Sequence, residues 1–194
     1  MSLILVTGMP GVGKTTLMCK LSNELSKRNI PISGFYTEEV RDSRTGDRVG
    51  FDIVTFAGGR APLARTGVTG TRSNCPTVGR YSVCLSEFER LALPALEQRD
   101  KGISASDGVL LLDEIGRMEM KSSAFATRMN AIVEEIIAKK VRFIATVPLK
   151  SSGIDVIERL KRIPGCQLFH VKPSNRDQMY CDVENAALLL HSRR

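Results

Sequence analysis

The chain has 194 residues, of which 42% are hydrophobic, so it is long enough for a single domain with a sizeable core. Its apolar runs are only strand-sized and its first strand starts close to Met1, which argues against a bilayer-spanning segment and a signal peptide and favours a cytoplasmic protein. Five scattered cysteines argue against a disulfide framework or a zinc site, and the net charge of +7 suits a polyanionic ligand.

Along the chain, strand patterns alternate with helix patterns. Apolar runs and period-two alternation predict strands at residues 3–7, 34–40, 48–56, 61–65, 81–85, 108–113, 141–147 and 167–172. Apolar positions three or four residues apart predict helices at residues 14–29, 86–99, 122–140 and 154–163 and from Ser174 onward. Near-continuous apolar strands that alternate with helices are typical of parallel strands covered on both faces. We therefore expect one α/β domain over 1–194, with a parallel sheet between two layers of helices.

Residues 41–85 interrupt this alternation, and we interpret them as a β-hairpin and loop insertion. Apolar side chains alternate with Gly50 and Asp52 in one of its strands, which predicts that the strand has one buried face. Just after the insertion, Ser86 and Glu89 match the capping-box pattern, so the next helix is expected to begin there.

Residues 8–15 read GMPGVGKT, a complete G-x-x-x-x-G-K-T phosphate-binding loop between the first strand and the first helix. Glycines let successive backbone N–H groups point inward, and the helix N-terminus adds partial positive charge. Lys14 is predicted to reach the outer phosphates of a nucleotide, and the Thr15 hydroxyl to coordinate Mg²⁺. The predicted nucleotide-binding residues of this loop are Gly8, Met9, Pro10, Gly11, Val12, Gly13, Lys14, Thr15 and Thr16.

Two carboxylates, Asp113 and Glu114, follow the apolar run at 109–112. Ligands of open parallel sheets bind at the carboxyl ends of the strands, which is also where the phosphate-binding loop is expected. Asp113 is predicted to hold Mg²⁺, directly or through water. Glu114 is predicted to be the general base that activates water for attack on the γ-phosphate. Residues 113–116 also read D-x-x-G, but the chain lacks the N-K-x-D pattern of switch GTPases.

Three arginines are candidates for contacting the phosphates or the transferring phosphoryl group. Arg117 follows the acidic pair and is a candidate for stabilising charge on the transferring phosphoryl group, with a surface ion pair to Glu119 as the equally weighted alternative. Arg60 and Arg65 belong to a stretch without acidic residues. They are candidates for a lid over the phosphates, and a solvated loop is the alternative.

Three further residues are candidates from their positions at element ends. Thr146 ends a predicted strand and is a candidate to contact the γ-phosphate or the attacking water, although threonine is also common in strands for its β-propensity. Asn175 and Arg176, at the start of the last helix, are candidates to contact the base or ribose. Capping of that helix explains Asn175 equally well.

With these motifs, the chain resembles the cancer-related nucleoside triphosphatase family, which has archaeal and bacterial members. The resemblance runs over nearly the whole length and rests on GMPGVGKTTL at 8–17, GFYTEEVR at 34–41, RVGFDIVT at 48–55, PLAR at 62–65, VGRYSV at 78–83, LALPAL at 91–96, LLDEIGRME at 111–119 and SNR at 174–176. It implies a phosphate-loop (P-loop) fold and Mg²⁺-dependent hydrolysis of nucleoside 5′-triphosphates to diphosphate and phosphate, with broad base preference. Where relatives carry lysine after the glycine, this chain has Arg117, which keeps the charge and changes the geometry.

Two other functions stay open from the sequence. A kinase would use the same loop, Mg²⁺ and Asp113, and would pass the γ-phosphoryl group to a small hydroxyl acceptor. A nucleotide-gated RNA-binding protein is permitted by the basic charge, but no RNA-binding motif supports nucleic acid as a partner. We expect nucleoside triphosphates as partners, no membrane, and a monomer.

Overall fold

The computed structural model describes residues 2–67, 75–97, 108–151 and 153–192. In these ranges the strands are β1 (Leu3–Gly8), β2 (Ile32–Arg41), β3 (Arg48–Thr55), β4 (Arg60–Arg65), β5 (Thr77–Val78), β6 (Tyr81–Val83), β7 (Val109–Leu112), β8 (Arg142–Pro148) and β9 (Gln167–Val171). The helices are α1 (Lys14–Lys27), α2 (Leu85–Glu97), α3 (Ser123–Ile137), α4 (Asp155–Arg162) and α5 (Arg176–Ser192), with a 3₁₀ turn at Glu119–Lys121. Parts of the predicted loop at 66–80 and the end of the predicted helix at 86–99 lie outside the described residues.

The described strands form one mixed sheet in the order β5-β6-β4-β3-β2-β7-β8-β1-β9. The five strands from β2 to β9 in this order pair in parallel. Their carboxyl ends therefore meet at one edge, where Gly8 ends β1 and Asp113 follows β7. This arrangement confirms the predicted α/β class and places the phosphate-binding loop beside the acidic pair.

The predicted insertion at 41–85 is an extension of the same sheet. Strands β2, β3, β4, β6 and β5 pair in antiparallel fashion, so the whole sheet is mixed, with the predicted insertion joined to its parallel part. In β2, residues 32–35 pair with β7 and residues 35–41 pair with β3. The second half of β2 therefore continues beyond the carboxyl edge of the parallel strands. The β2–β3 hairpin therefore projects past that edge, and we call this projecting part of the hairpin the β2–β3 wall.

Each face of the sheet has its own hydrophobic core. Alternate residues of β1 point to opposite faces, because side chains in a strand alternate. Leu3 and Leu5 join the core formed with α2, α3 and α4, whereas Ile4 and Val6 join the core formed with α1 and α5. The predicted layers of helices on both faces are thereby confirmed. Within the described residues, no helix is long and apolar enough to cross a membrane.

Two local predictions in this region are wrong. Asp52 is buried together with its neighbour Ile53, because a register shift between Phe51 and Asp52 breaks the period of two. The capping box does not form either. Ser86 Oγ donates to Glu87 Oε2 at 2.7 Å, and Glu89 Oε1 accepts from Ser122 Oγ at 2.6 Å, which links α2 to the start of α3.

Candidate active site

The loop between β1 and α1 has the conformation that its glycines permit. Gly11 and Gly13 have φ angles of +75° and +104°, in the left-handed region that favours glycine. Gly8 is required for a different reason, since a Cβ at this position would lie 2.5 Å from the Val171 carbonyl oxygen in β9. The loop is thus held tightly against the sheet and leads directly into the N-terminus of α1, where backbone N–H groups are available to an anion.

A cleft of about 750 Å³ opens above this loop. Its volume is in the range of small-molecule and cofactor sites. It is lined by Gly8, Met9, Pro10, Gly11, Gly13, Lys14, Thr15, Thr16, Thr37, Glu38, Glu39, Arg48, Phe51, Asp113, Glu114, Pro148, Leu149 and Lys150. All predicted loop residues except Val12 are therefore in the cleft wall. Val12 is buried and packs into the core with α1 and α5.

The Lys14 side chain folds back over the phosphate-binding loop. Its Nζ donates to the carbonyl oxygens of Gly8 at 3.1 Å and Met9 at 3.2 Å. The ammonium group is therefore at the mouth of the loop, where outer phosphates of a bound nucleotide would lie.

Asp113 lies at the centre of a set of threonine hydroxyls. Thr15 Oγ1 donates to its Oδ2 at 2.6 Å, Thr37 Oγ1 to the same oxygen at 3.3 Å, and Thr146 Oγ1 to Oδ1 at 2.7 Å. The carboxyl is 1% exposed, and burial raises its pKa, while the three hydroxyl donors act in the opposite direction. The two residues predicted as metal ligands, Thr15 and Asp113, are thus in direct contact.

The residues at this point fit a magnesium ion. A threonine hydroxyl and a carboxylate are hard oxygen donors, which Mg²⁺ prefers, and they face the cleft beside the phosphate-binding loop. No cluster of three or more His, Cys, Asp or Glu residues suited to a metal occurs in the described chain. This agrees with the usual magnesium site of nucleotide enzymes, in which one or two protein ligands act together with phosphates and water.

Glu114 has a strained backbone, which its neighbours hold in place. Its φ angle of +64° is in the left-handed region, which is unfavourable for a residue with a Cβ. Its backbone N–H donates to Thr146 Oγ1 at 2.7 Å, and the next N–H, that of Ile115, donates to the Thr146 carbonyl oxygen at 3.1 Å. Thr146 is itself fully buried and lies outside the cleft lining, and it holds the Asp113 carboxylate and the backbone of Glu114.

The Glu114 side chain reaches the cleft and keeps contact with solvent, although protein surrounds much of it. This enclosure raises its pKa, and so does the negative charge of Asp113. The positive charges of Lys14 and Arg48 lower it. Opposed effects of this kind are typical of a carboxylate that exchanges a proton during catalysis.

The predicted supporting arginines lie away from the cleft. Arg117 is exposed and lines a smaller adjoining pocket of about 230 Å³. Arg60 pairs with Glu38 at 2.6 Å and with Asp52 at 2.8 Å, and Arg65 pairs with Asp52 as well. Both arginines therefore hold the extended part of the sheet together.

At the start of the last helix, Asn175 closes a turn and Arg176 lies near the phosphate-binding loop. Asn175 Oδ1 accepts from Lys172 N at 2.7 Å, and its Nδ2 donates to the His170 carbonyl oxygen at 3.0 Å, so its side chain closes the β9–α5 turn. Arg176 is exposed, and its Cδ lies 3.3 Å from the position that a Cβ on Gly13 would take. Neither residue lines the cleft.

Sequence reasoning missed the residues that the β2–β3 wall brings to the cleft. Arg48 extends into it from β3 and forms an ion pair with Glu39, and its Nε is buried without a hydrogen-bond partner among the described residues. Thr37 and Phe51 come from the same wall, and Lys150 from the loop after β8. The hairpin pattern was visible in the sequence, but only the position of the hairpin above the sheet edge puts these side chains in the cleft.

A strand, a G-x-x-x-x-G-K-T loop and a helix, with an aspartate that follows another parallel strand of the sheet and binds the loop threonine, define the class of P-loop nucleoside-triphosphatases. The sequence matches the model of the NTPase family over residues 3–183. It is 37% identical to human cancer-related nucleoside-triphosphatase over 93% of each chain, and 36% identical to nucleoside-triphosphatase THEP1 of Aquifex aeolicus over 93% of this chain and 96% of that protein. The solution structure of a human cancer-related nucleoside triphosphatase superposes with a TM-score of 0.81 over all of both chains, at 35% identity. The chain therefore belongs to the NTPase family, whose members are hydrolases of the P-loop class.

Proposed function

We propose that this protein hydrolyses nucleoside 5′-triphosphates to nucleoside diphosphate and phosphate with Mg²⁺ as cofactor and with broad base preference. The observation that carries the proposal is the contact between Thr15 and Asp113, at 2.6 Å, with Glu114 next to it in the same cleft. Broad preference is what the resemblance to the family implies, and the lack of an N-K-x-D pattern argues only against a guanine-specific switch GTPase. The names of the relatives in the NTPase family agree with this activity.

In the proposed reaction, the loop N–H groups and Lys14 hold the β- and γ-phosphates. Thr15 and Asp113 hold Mg²⁺, which supplies positive charge to the phosphate oxygens when it is bound. Glu114 orients a water molecule and accepts its proton as the water oxygen forms a bond to the γ-phosphorus. The bond from the γ-phosphorus to the bridging oxygen breaks, and that oxygen leaves with the nucleoside diphosphate.

The test is phosphate release from a panel of Mg²⁺–nucleoside triphosphates, with and without a pool of nucleosides and monophosphates as acceptors. Wild type, Glu114→Gln and Asp182→Asn are compared, since Asp182 is a partly exposed carboxylate on α5 that does not line the cleft. We expect steady release that acceptors leave unchanged, with a loss of about 10²- to 10⁴-fold in Glu114→Gln, the usual contribution of general-base catalysis. Asp182→Asn should behave as wild type. If Glu114→Gln keeps full turnover, Glu114 is not the base.

A second candidate function, transfer of the γ-phosphoryl group to a small hydroxyl compound, is favoured by one observation. The pocket of about 230 Å³ shares Glu114 with the nucleotide cleft and has an apolar wall that includes Leu63 and Met118. An acceptor in this pocket would bring its hydroxyl to the same carboxylate. Negligible phosphate release until one acceptor is added, with that acceptor phosphorylated, would establish the kinase.

A further inference from the structure

A second glutamate is buried directly behind the acidic pair. Glu119 is 3% exposed, at the start of the 3₁₀ turn that precedes α3. Its Oε2 accepts a hydrogen bond of 3.0 Å from the backbone N–H of Gly116, and its carbonyl oxygen accepts one of 3.1 Å from Ser122 N. Glu119 therefore connects the loop that carries Glu114 to the N-terminus of α3.

The carboxyl groups of Glu119 and Glu114 border the same glycine. A Cβ placed on Gly116 would lie 2.9 Å from Glu119 Oε2, 3.3 Å from Glu114 Cγ and 3.7 Å from Glu114 Oε1. Gly116 thus leaves the space in which the two side chains approach each other. Any larger residue at this position would separate them.

A negative charge on the buried Glu119 carboxyl is unfavourable beside Glu114, because burial removes the water that would screen it. Burial, and after it the negative charge of Glu114, raises the pKa of Glu119 to about 8. The other charged groups around it are Asp113 on the preceding loop, Arg117 and Lys150 around the adjoining pocket, and Lys121 on its own turn. No ion pair of the described residues involves Glu119, so its neutral form relieves the repulsion.

We propose that Glu119 is a positioning residue, whose buried carboxyl fixes the turn at 114–116 and so directs the Glu114 carboxylate toward the attacking water. This inference rests on the proposed hydrolysis and names how its base is held. Glu119 lines the adjoining pocket, but it touches neither the nucleotide cleft nor the phosphate-binding loop, where hydrolysis is proposed to occur. Its effect therefore passes through Gly116 and Glu114.

The experiment compares turnover and nucleotide binding in Glu119→Gln, Glu119→Ala, Glu114→Gln and the double variant Glu114→Gln with Glu119→Ala. Glutamine keeps an oxygen acceptor for Gly116 N–H and stays neutral at every pH. We expect Glu119→Gln to keep kcat at pH 7 within about twofold of wild type, while Glu119→Ala lowers kcat by about 10- to 100-fold, the cost of a misplaced catalytic group. Binding of a fluorescent triphosphate analogue and KM should change by less than about threefold.

The double variant separates positioning from a general structural effect. The effects of substituting residues that act as a unit are not additive. Because Glu119 is proposed to act through Glu114, adding Glu119→Ala to Glu114→Gln should lower kcat little further. Additive losses, or equal losses of binding and turnover in Glu119→Ala, would overturn the proposal.

If Glu119→Ala does not fold, the pH dependence of kcat in wild type and Glu119→Gln tests the proposal instead. Wild-type kcat should fall as the pH rises above 8 and Glu119→Gln should not, whereas identical profiles would overturn the proposal. Full turnover in Glu114→Gln would refute the proposed base itself, whatever the Glu119 variants do.

Discussion

Thr15 Oγ1 and Asp113 Oδ2 are 2.6 Å apart, although 98 residues separate them in the chain. Thr15 lies in the first turn of α1 after β1, and Asp113 follows β7. Both strands pair in parallel with β8, which lies between them, so their carboxyl ends are at the same edge. Parallel pairing thus produces the contact on which the proposed binding of nucleotide and magnesium depends.

Lys14→Ala should abolish turnover and greatly weaken binding of Mg²⁺–triphosphate, because Lys14 supplies the positive charge at the mouth of the loop. Fluorescence titration with a labelled triphosphate and a phosphate-release assay measure the two effects. Lys27→Ala is the control, since Lys27 is an exposed lysine in the last turn of the same helix and pairs with Glu24. Activity in Lys14→Ala equal to that of the control would remove the phosphate-loop assignment.

Thr146→Val should lower both stability and turnover, because it removes the hydroxyl that bonds Asp113 and Glu114. We expect a loss of about 1–3 kcal/mol in the free energy of unfolding, the usual cost of buried polar groups left without a partner. Urea denaturation measures this loss.

Thr7→Val provides a matched control for this change. Thr7 lies on the neighbouring strand opposite Val147, and its buried Oγ1 has no hydrogen-bond partner among the described residues. Replacing an unpartnered buried hydroxyl by a methyl group should leave stability unchanged or raise it. Equal destabilisation in both variants would mean that the Thr146 hydrogen bonds do not matter.

Arg48→Ala should reduce kcat by about tenfold or more, since an arginine beside the transferring phosphoryl group stabilises its charge in related chemistry. Arg48 lines the nucleotide cleft and its charge acts on Glu114, whereas Arg117 lines the adjoining pocket. Arg117→Ala should therefore have a smaller effect. Phosphate-release kinetics of the two variants decide between them, and a larger loss in Arg117→Ala would restore the assignment made from the sequence.

The stability of the nucleotide-free protein should depend on pH through Glu119. Its pKa is about 8 in the folded state, against an ordinary value of 4.5. Between these values the folded protein binds more protons than the unfolded chain, so the free energy of unfolding falls as the pH rises. The shift corresponds to a few kcal/mol at most. Glu119→Gln does not titrate, so its stability relative to wild type should increase from pH 5 to pH 8 in urea denaturation. A difference that stays constant over this range would contradict the prediction.

The local chemistry of the site was readable from the sequence. The phosphate-binding loop needs particular residues at fixed spacing between a strand and a helix, and the acidic pair follows an apolar run of strand length. These signals depend on neighbouring residues alone. The loop residues from Gly8 to Thr16, together with Asp113 and Glu114, were therefore predicted to form one site. All of them except Val12, whose side chain is in the core, line the same cleft.

The features of the site that only the tertiary structure reveals depend on contacts between segments that are distant in the sequence. Arg48 reaches the cleft because β2 continues past the sheet edge and β3 returns along it. Asp52 is buried because a register shift breaks the strand's alternation, and it then holds Arg60 and Arg65. Glu119 meets Glu114 across a glycine through a turn that no periodicity predicts. Strand register and side-chain burial are set by long-range packing. The phosphate-binding loop could therefore be recognised from local sequence, whereas the surroundings of Glu114, the proposed base, are determined by the fold.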